Sequence, residues 1–302
     1  MPSSVIFARD PARGWRPWGV LVPFLGVAFV VLATAPFAIL LLHLHLLDDV
    51  SDDPVGLFGF AAFLVGPFGA LILLVLGWTR FVERRPLATI GLATHGAPAS
   101  FAGGLLAGVL LAGAVVAGIW RSGGLAVGDV APAFASAQSL AGIVLLLACF
   151  AVQSSAEEIL FRGWMLSALA IRFGSVAGVI VSSLVFALLH FSPHAPALFA
   201  ANMVLFAAFA ASWALRTGNI WGAMGWHSAW NWFLGTGFGL RITGLDTHMP
   251  ALLVRLLPAG AVWLTGGRQG PEGSVICTAV LLAGIVFNLS TSDSKARAAR
   301  AL

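Results

Sequence analysis

Six residues combine types and spacings that could carry acid–base chemistry: Glu157, Glu158, Arg162, His190, His227 and Asn231. The first three lie in LLLACFAVQSSAEEILFRGWML, which is apolar on both sides. An ionisable group in such a stretch is costly and marks function by default. On a helix Glu158 and Arg162, four apart, share a face and neutralise each other. Glu157 is turned by about 100° from Glu158, away from that partner. A carboxyl in an apolar site beside a second carboxyl is suited to general acid or base work near neutral pH. His190 ends SSLVFALLHF four residues after Phe186, and His227 precedes Asn231 by four in WGAMGWHSAWNW. His227 and Asn231 therefore project from one helical face. A buried Glu–Arg pair alone could equally be structural, holding two helices in register. Two histidines and an asparagine at compatible depth favour a site.

The elements that must position these groups are membrane spans. Of 302 residues, 59% are hydrophobic and 9% charged, and mean hydropathy is +0.96. A soluble domain carries about a quarter charged residues, so this chain needs lipid as its solvent. Apolar runs fall at about 19–47, 57–78, 99–119, from 139 through Glu157, and at 175–192, 197–215, 220–239 and 274–290. Continuous runs of about 20 apolar residues read as spanning helices. The fold class is all-α, a polytopic bundle of about eight spans. The stretch 250–265, with Pro258 and Gly260, reads as re-entrant or interfacial. Residues 1–135 carry no signature, 136–292 hold the chemistry, and 293–302 form a short polar cytoplasmic tail, read as disordered.

Loop charge orients the bundle. With the N-terminus inside, Arg9, Arg13, Arg16, Arg80, Arg84, Arg85, Arg172, Arg216, Lys295, Arg297 and Arg300 are cytoplasmic. The acidic loop of Asp48, Asp49, Asp52 and Asp53 is outside, with Arg121, Arg241, Arg255 and Arg268. This bias puts both termini in the cytoplasm. Ala33-Thr34-Ala35 looks like a signal cleavage site, but Pro36 follows and the apolar run continues to Leu47; the segment reads as a retained span. If the fourth and fifth spans turn at Phe173-Gly174, Glu157 and His190 both lie about 22 Å from the turn, and His227 and Asn231 lie about 10–16 Å above the start of theirs.

A pI near 10.4 could suggest nucleic acid, but net charge is only +4 and no basic block with interleaved aromatics is present. Cys149 and Cys277 sit in apolar runs outside any metal-type spacing and read as small core residues. His43, His45, His95 and His248 fall near span ends or in loops; His194, close to His190, could line an entrance.

Glu157-Glu158-x-x-x-Arg162, Phe186-x-x-x-His190 and His227-x-x-x-Asn231 together resemble, in order and spacing, the three motifs of the CPBP intramembrane proteases. That family includes CAAX prenyl endopeptidases and bacterial homologues. The likeness covers about 140–235, and Trp263-Leu-Thr-Gly-Gly-x-x-Gly-Pro-Glu272 resembles a C-terminal stretch common in bacterial members. The resemblance implies that Glu157, helped by His190, activates a water, while His227 and Asn231 hold the oxyanion. Glu158 and Arg162 would support the helix. The family has been described both as metallo and as glutamate-type. Glu157, His190 and His227 could form a zinc-type set with an open position, yet no HExxH is present and Asn231 is a poor zinc ligand. Glutamate-activated water is the preferred reading; a divalent metal such as zinc is the alternative.

The implied activity is endopeptidase cleavage of a membrane-associated or lipid-linked peptide, with the lipid bilayer as the other partner and no nucleic acid. Bacterial relatives are linked to bacteriocin maturation, self-immunity and protein sorting, which implies a bacterial plasma membrane. The alternative is a non-proteolytic binding or immunity protein on the same scaffold. A proton-coupled transporter also uses intramembrane Glu, His and Arg, but would show two matching halves, and the sequence has none.

Overall fold

The computed structural model describes residues 6–8, 14–48, 53–191 and 195–300, with side chains through 291. Arg9, Arg13, Asp49, Asp52 and His194 lie outside the described residues, and the side chains of Lys295, Arg297 and Arg300 are likewise not described. The architecture is an all-α polytopic bundle. Its helices are α1 (Val22–His43), α2 (Gly56–Gly77), α3 (Ala97–Arg121), α4 (Ala137–Glu158), α5 (Leu166–Phe173), α6 (Ser175–Leu189), α7 (Ala197–Thr217), α8 (Trp221–Trp232), the short α9 (Val262–Thr265) and α10 (Val275–Arg300). Among the described residues five helical stretches are long and apolar enough to cross a membrane: Gly19–His43, Gly56–Val82, Ala97–Arg121, Ala137–Phe173 and Ala197–Thr217. Ser175–Leu189 and Val275–Thr291 are shorter apolar helices. The protein is an integral membrane protein. Its outer faces carry exposed Phe24, Leu32, Leu73, Leu110, Ile180 and Phe287, apolar groups that lipid solvates.

The expected hairpin is present. α4, a π-helical turn at Ile159–Met165 and α5 form one continuous helix, which ends at Phe173. Gly174, at φ 85°, turns the chain into α6, a backbone state that glycine adopts without steric cost. Ser136 caps α4 by accepting from the Ser139 amide.

Two expectations need correction and one gains detail. The stretch 250–265, expected as re-entrant or interfacial, forms no spanning helix. It contains β2 (Val254–Pro258), antiparallel to β1 (Leu125–Val130), with Leu125 opposite Pro258 and Ala126 opposite Leu257. A two-residue alternation this short leaves little trace in an apolar sequence. The tail is helical through 300, because α10 continues to Arg300. Arg85, counted as a cytoplasmic loop charge, is 2% exposed and paired with Glu83 at 3.0 Å. Glu83 also accepts from the indoles of Trp164 and Trp78 at 2.7 and 3.0 Å, and Arg85 donates to Ser167 at 2.8 Å. This ion pair ties the end of α2 to α5.

α3 approaches α8 backbone to backbone. A Cβ on Gly104 would strike the Gly222 carbonyl, one on Gly108 the Trp226 carbonyl, and one on Gly225 the Phe101 carbonyl. Small residues spaced by four permit this contact. It fixes the helix that carries His227 and Asn231.

Candidate active site

Glu157 and Glu158 are the last residues of α4, immediately before the π-helical turn Ile159–Met165. Such turns inside α-helices are frequent at functional sites. Glu158 is fully buried and receives two donors on one oxygen: Arg162 Nη1 at 3.0 Å and His227 Nδ1 at 2.9 Å. His227 Nε2 faces Glu157 Oε2 at 3.7 Å. One imidazole therefore lies between the two adjacent carboxylates. Glu157 Oε2, Glu158 Oε2 and Arg162 Nη2 are buried without a hydrogen-bond partner.

Asn231, one turn after His227, donates to Gln153 Oε1 at 3.1 Å. Gln153 lies one turn before Glu157 on α4 and also accepts from Ser154 at 3.1 Å. Gln153 is not among the candidates singled out from sequence; its place four residues before Glu157, at the start of the polar stretch Gln153-Ser154-Ser155, is the signal that points to it.

Aromatic rings wall the cluster. Phe206 of α7 meets the His227 ring edge to face at 4.8 Å. Phe186 of α6 stacks on His190 at 4.3 Å and carries the Arg162 guanidinium 4.4 Å from its centroid. His190 is the C-cap of α6, and its Nδ1 lies 2.8 Å from the Phe186 carbonyl. The structure thus brings Glu157, Glu158, Arg162, His227 and Asn231 together directly or through Gln153. His190 joins through Phe186; among the described residues it makes no hydrogen bond or ion pair with either glutamate.

The metal alternative needs three donors converging on one point. Among the described residues no group of three His, Cys, Asp or Glu side chains does so. His227 is turned by its bond to Glu158, and His190 by its bond to Phe186. Cys149 and Cys277 are buried and free, as expected of core residues. His43, His45, His95 and His248 are exposed.

A second buried acid supports α8. Glu272 is 1% exposed, accepts from Trp230 Nε1 at 3.1 Å and from the Thr243 amide at 2.6 Å. Its own carbonyl accepts from Asn202 at 2.7 Å. Burial pushes its carboxyl up to about 7 against the opposing pull of the Thr243 and Trp230 donors. Trp230 directly precedes Asn231, so this carboxyl braces the helix behind the cluster.

Residues 138–233 match the family model described as Type II CAAX prenyl endopeptidase Rce1-like. The matched segment holds all three motifs, and it is the CAAX-protease kinship that they resemble. That family is one of peptidases, and the segment lies in a membrane-spanning bundle. No curated protein and no solved structure matches the chain.

Proposed function

We propose that the protein is an intramembrane endopeptidase that hydrolyses a peptide bond of a membrane-embedded or lipid-linked substrate, with Glu157 as general base. The observation that carries this reading is the relation of His227 to both glutamates: 2.9 Å to Glu158 and 3.7 Å to Glu157. Two carboxylates against one guanidinium leave one excess negative charge. One further proton makes the buried cluster neutral, and Glu157 and His227 are the groups between which it can move. With that proton on His227, Nδ1–H is held by Glu158, Nε2–H faces Glu157 at 3.7 Å without a hydrogen bond, and Glu157 is a free base.

In the proposed reaction Glu157 takes a proton from water as the water oxygen bonds to the scissile carbonyl carbon. His227 Nε2–H and the second amide proton of Asn231 stabilise the resulting oxyanion, the role in which fixed donors contribute most. The intermediate then collapses, the C–N bond breaks, and Glu157 returns the proton to the departing amine. Glu158, itself held by Arg162, fixes the orientation of the His227 ring. His190, at the C-terminal end of α6, assists from the side of Phe186.

The test is direct. Purified protein is incubated with a library of lipid-anchored, internally quenched peptides, and the products are identified by mass spectrometry, with and without chelator. Cleavage at one bond, retained in chelator, supports the reading. Cleavage abolished by chelator and restored by zinc would move the chemistry to a metal. Intact peptides throughout would favour the non-proteolytic binding protein.

A further inference from the structure

We propose that an arginine-walled cleft at the loop end of the bundle is a binding site for a phosphate-bearing anion. The cleft has a volume of about 640 Å³ and is formed by the segment after α8, by β2 and by the turn before α10. None of the six candidate catalytic residues lines it. Arg241, Arg255 and Arg268 line it together with a single acid, Asp246.

All three arginines are exposed on the described surface. Among the described residues none makes an ion pair or a side-chain hydrogen bond. Asp246 is engaged elsewhere: it accepts from the His248 amide at 2.8 Å, with the His248 ring 3.9 Å away. An adjoining cavity of about 250 Å³ adds Asp129 beside Arg255, but no ion pair closes there either.

Three like charges line one cleft, and the backbone that carries them is tied down. β2 is paired to β1. The turn at Gly270 packs on the backbone of Arg241, where a Cβ would collide, and the Thr243 amide is anchored on Glu272. A bound anion relieves the repulsion. Three guanidinia against one carboxylate give the cleft a charge of +2, which matches a phosphate dianion. Guanidinium forks fit phosphate oxygens in pairs. Leu240, Leu256 and Leu257 form the apolar part of the lining, and Leu257 is 47% exposed. A lipid headgroup and a free phosphate ester present the same oxygens to these forks.

The experiment titrates the detergent-purified protein with inorganic phosphate and, separately, with a short-chain phosphatidic acid, by calorimetry. The triple variant Arg241→Gln/Arg255→Gln/Arg268→Gln is compared with Arg121→Gln, which removes an exposed arginine that does not line the cleft. Binding of either ligand, weakened roughly tenfold per arginine removed and unchanged in Arg121→Gln, supports the site. Binding of the lipid alone assigns it to a headgroup, and equal binding of both assigns it to the phosphate. Failure of the wild type to bind either ligand, or equal binding by the triple variant, overturns the proposal.

Discussion

The imidazole of His227 and the carboxylate of Glu158, 69 residues apart in sequence, meet at 2.9 Å in the buried interior, where Glu158 is also the anchor of Arg162. This contact orders the candidate site. It sets which nitrogen of His227 faces Glu157, and it joins α4 to α8.

Removing one member of the Glu158–Arg162 pair should therefore cost more than an ordinary surface change. Arg162→Met leaves a buried carboxylate without its guanidinium, and breaking a buried pair costs about 3–5 kcal/mol. Thermal unfolding in detergent should show the loss. An unchanged midpoint would mean that Glu158 finds another partner.

Asn231→Ala should preserve the fold and lower kcat by about 10²–10³, the usual cost of an oxyanion donor. Asn231 donates to Gln153, so Gln153→Ala should give a smaller loss of the same kind, because it frees the amide to rotate. A change confined to KM in either variant would place Asn231 in substrate binding.

Much of this was legible in sequence, for definable reasons. The Glu158–Arg162 bridge follows from a spacing of four, and the turn at Gly174 from a break in apolar pattern. The pairing of His227 with Glu158 rather than Glu157 was not legible, since it depends on how α8 rotates against α4. The paired strands β1 and β2 were hidden because a short strand in an apolar chain lacks alternation. Arg85 looked like a loop charge, because sequence does not report that Glu83, two residues earlier, is buried with it.

The glycine contact between α3 and α8 was readable as Gly104-x-x-x-Gly108 but carries no chemistry, so its role appears only in three dimensions. Gly108→Leu should drive the two helices apart, destabilising by about 1–3 kcal/mol and reducing activity although no motif residue changes. The readout is unfolding together with turnover. Retention of both would show that α8 can shift without consequence.

Glu272 gives stability a pH dependence. Its carboxyl titrates near 7 in the folded protein against 4.5 in the reference state. The folded state thus holds a proton that the unfolded state has released, so stability falls as pH rises from about 4.5 through 7 and levels off above. Glu272→Gln should flatten that interval, removing a slope worth roughly 3 kcal/mol in all. A wild-type midpoint independent of pH across the interval would contradict the assignment.

The central claim is that Glu157 is the base. The most direct measurement compares wild type with Glu157→Gln on one cleavable lipid-anchored peptide, following kcat and KM, with folding verified by thermal unfolding. The account predicts a folded variant, nearly unchanged KM, and kcat reduced about 10²–10⁴-fold. A folded Glu157→Gln protein that cleaves at the wild-type rate would contradict it.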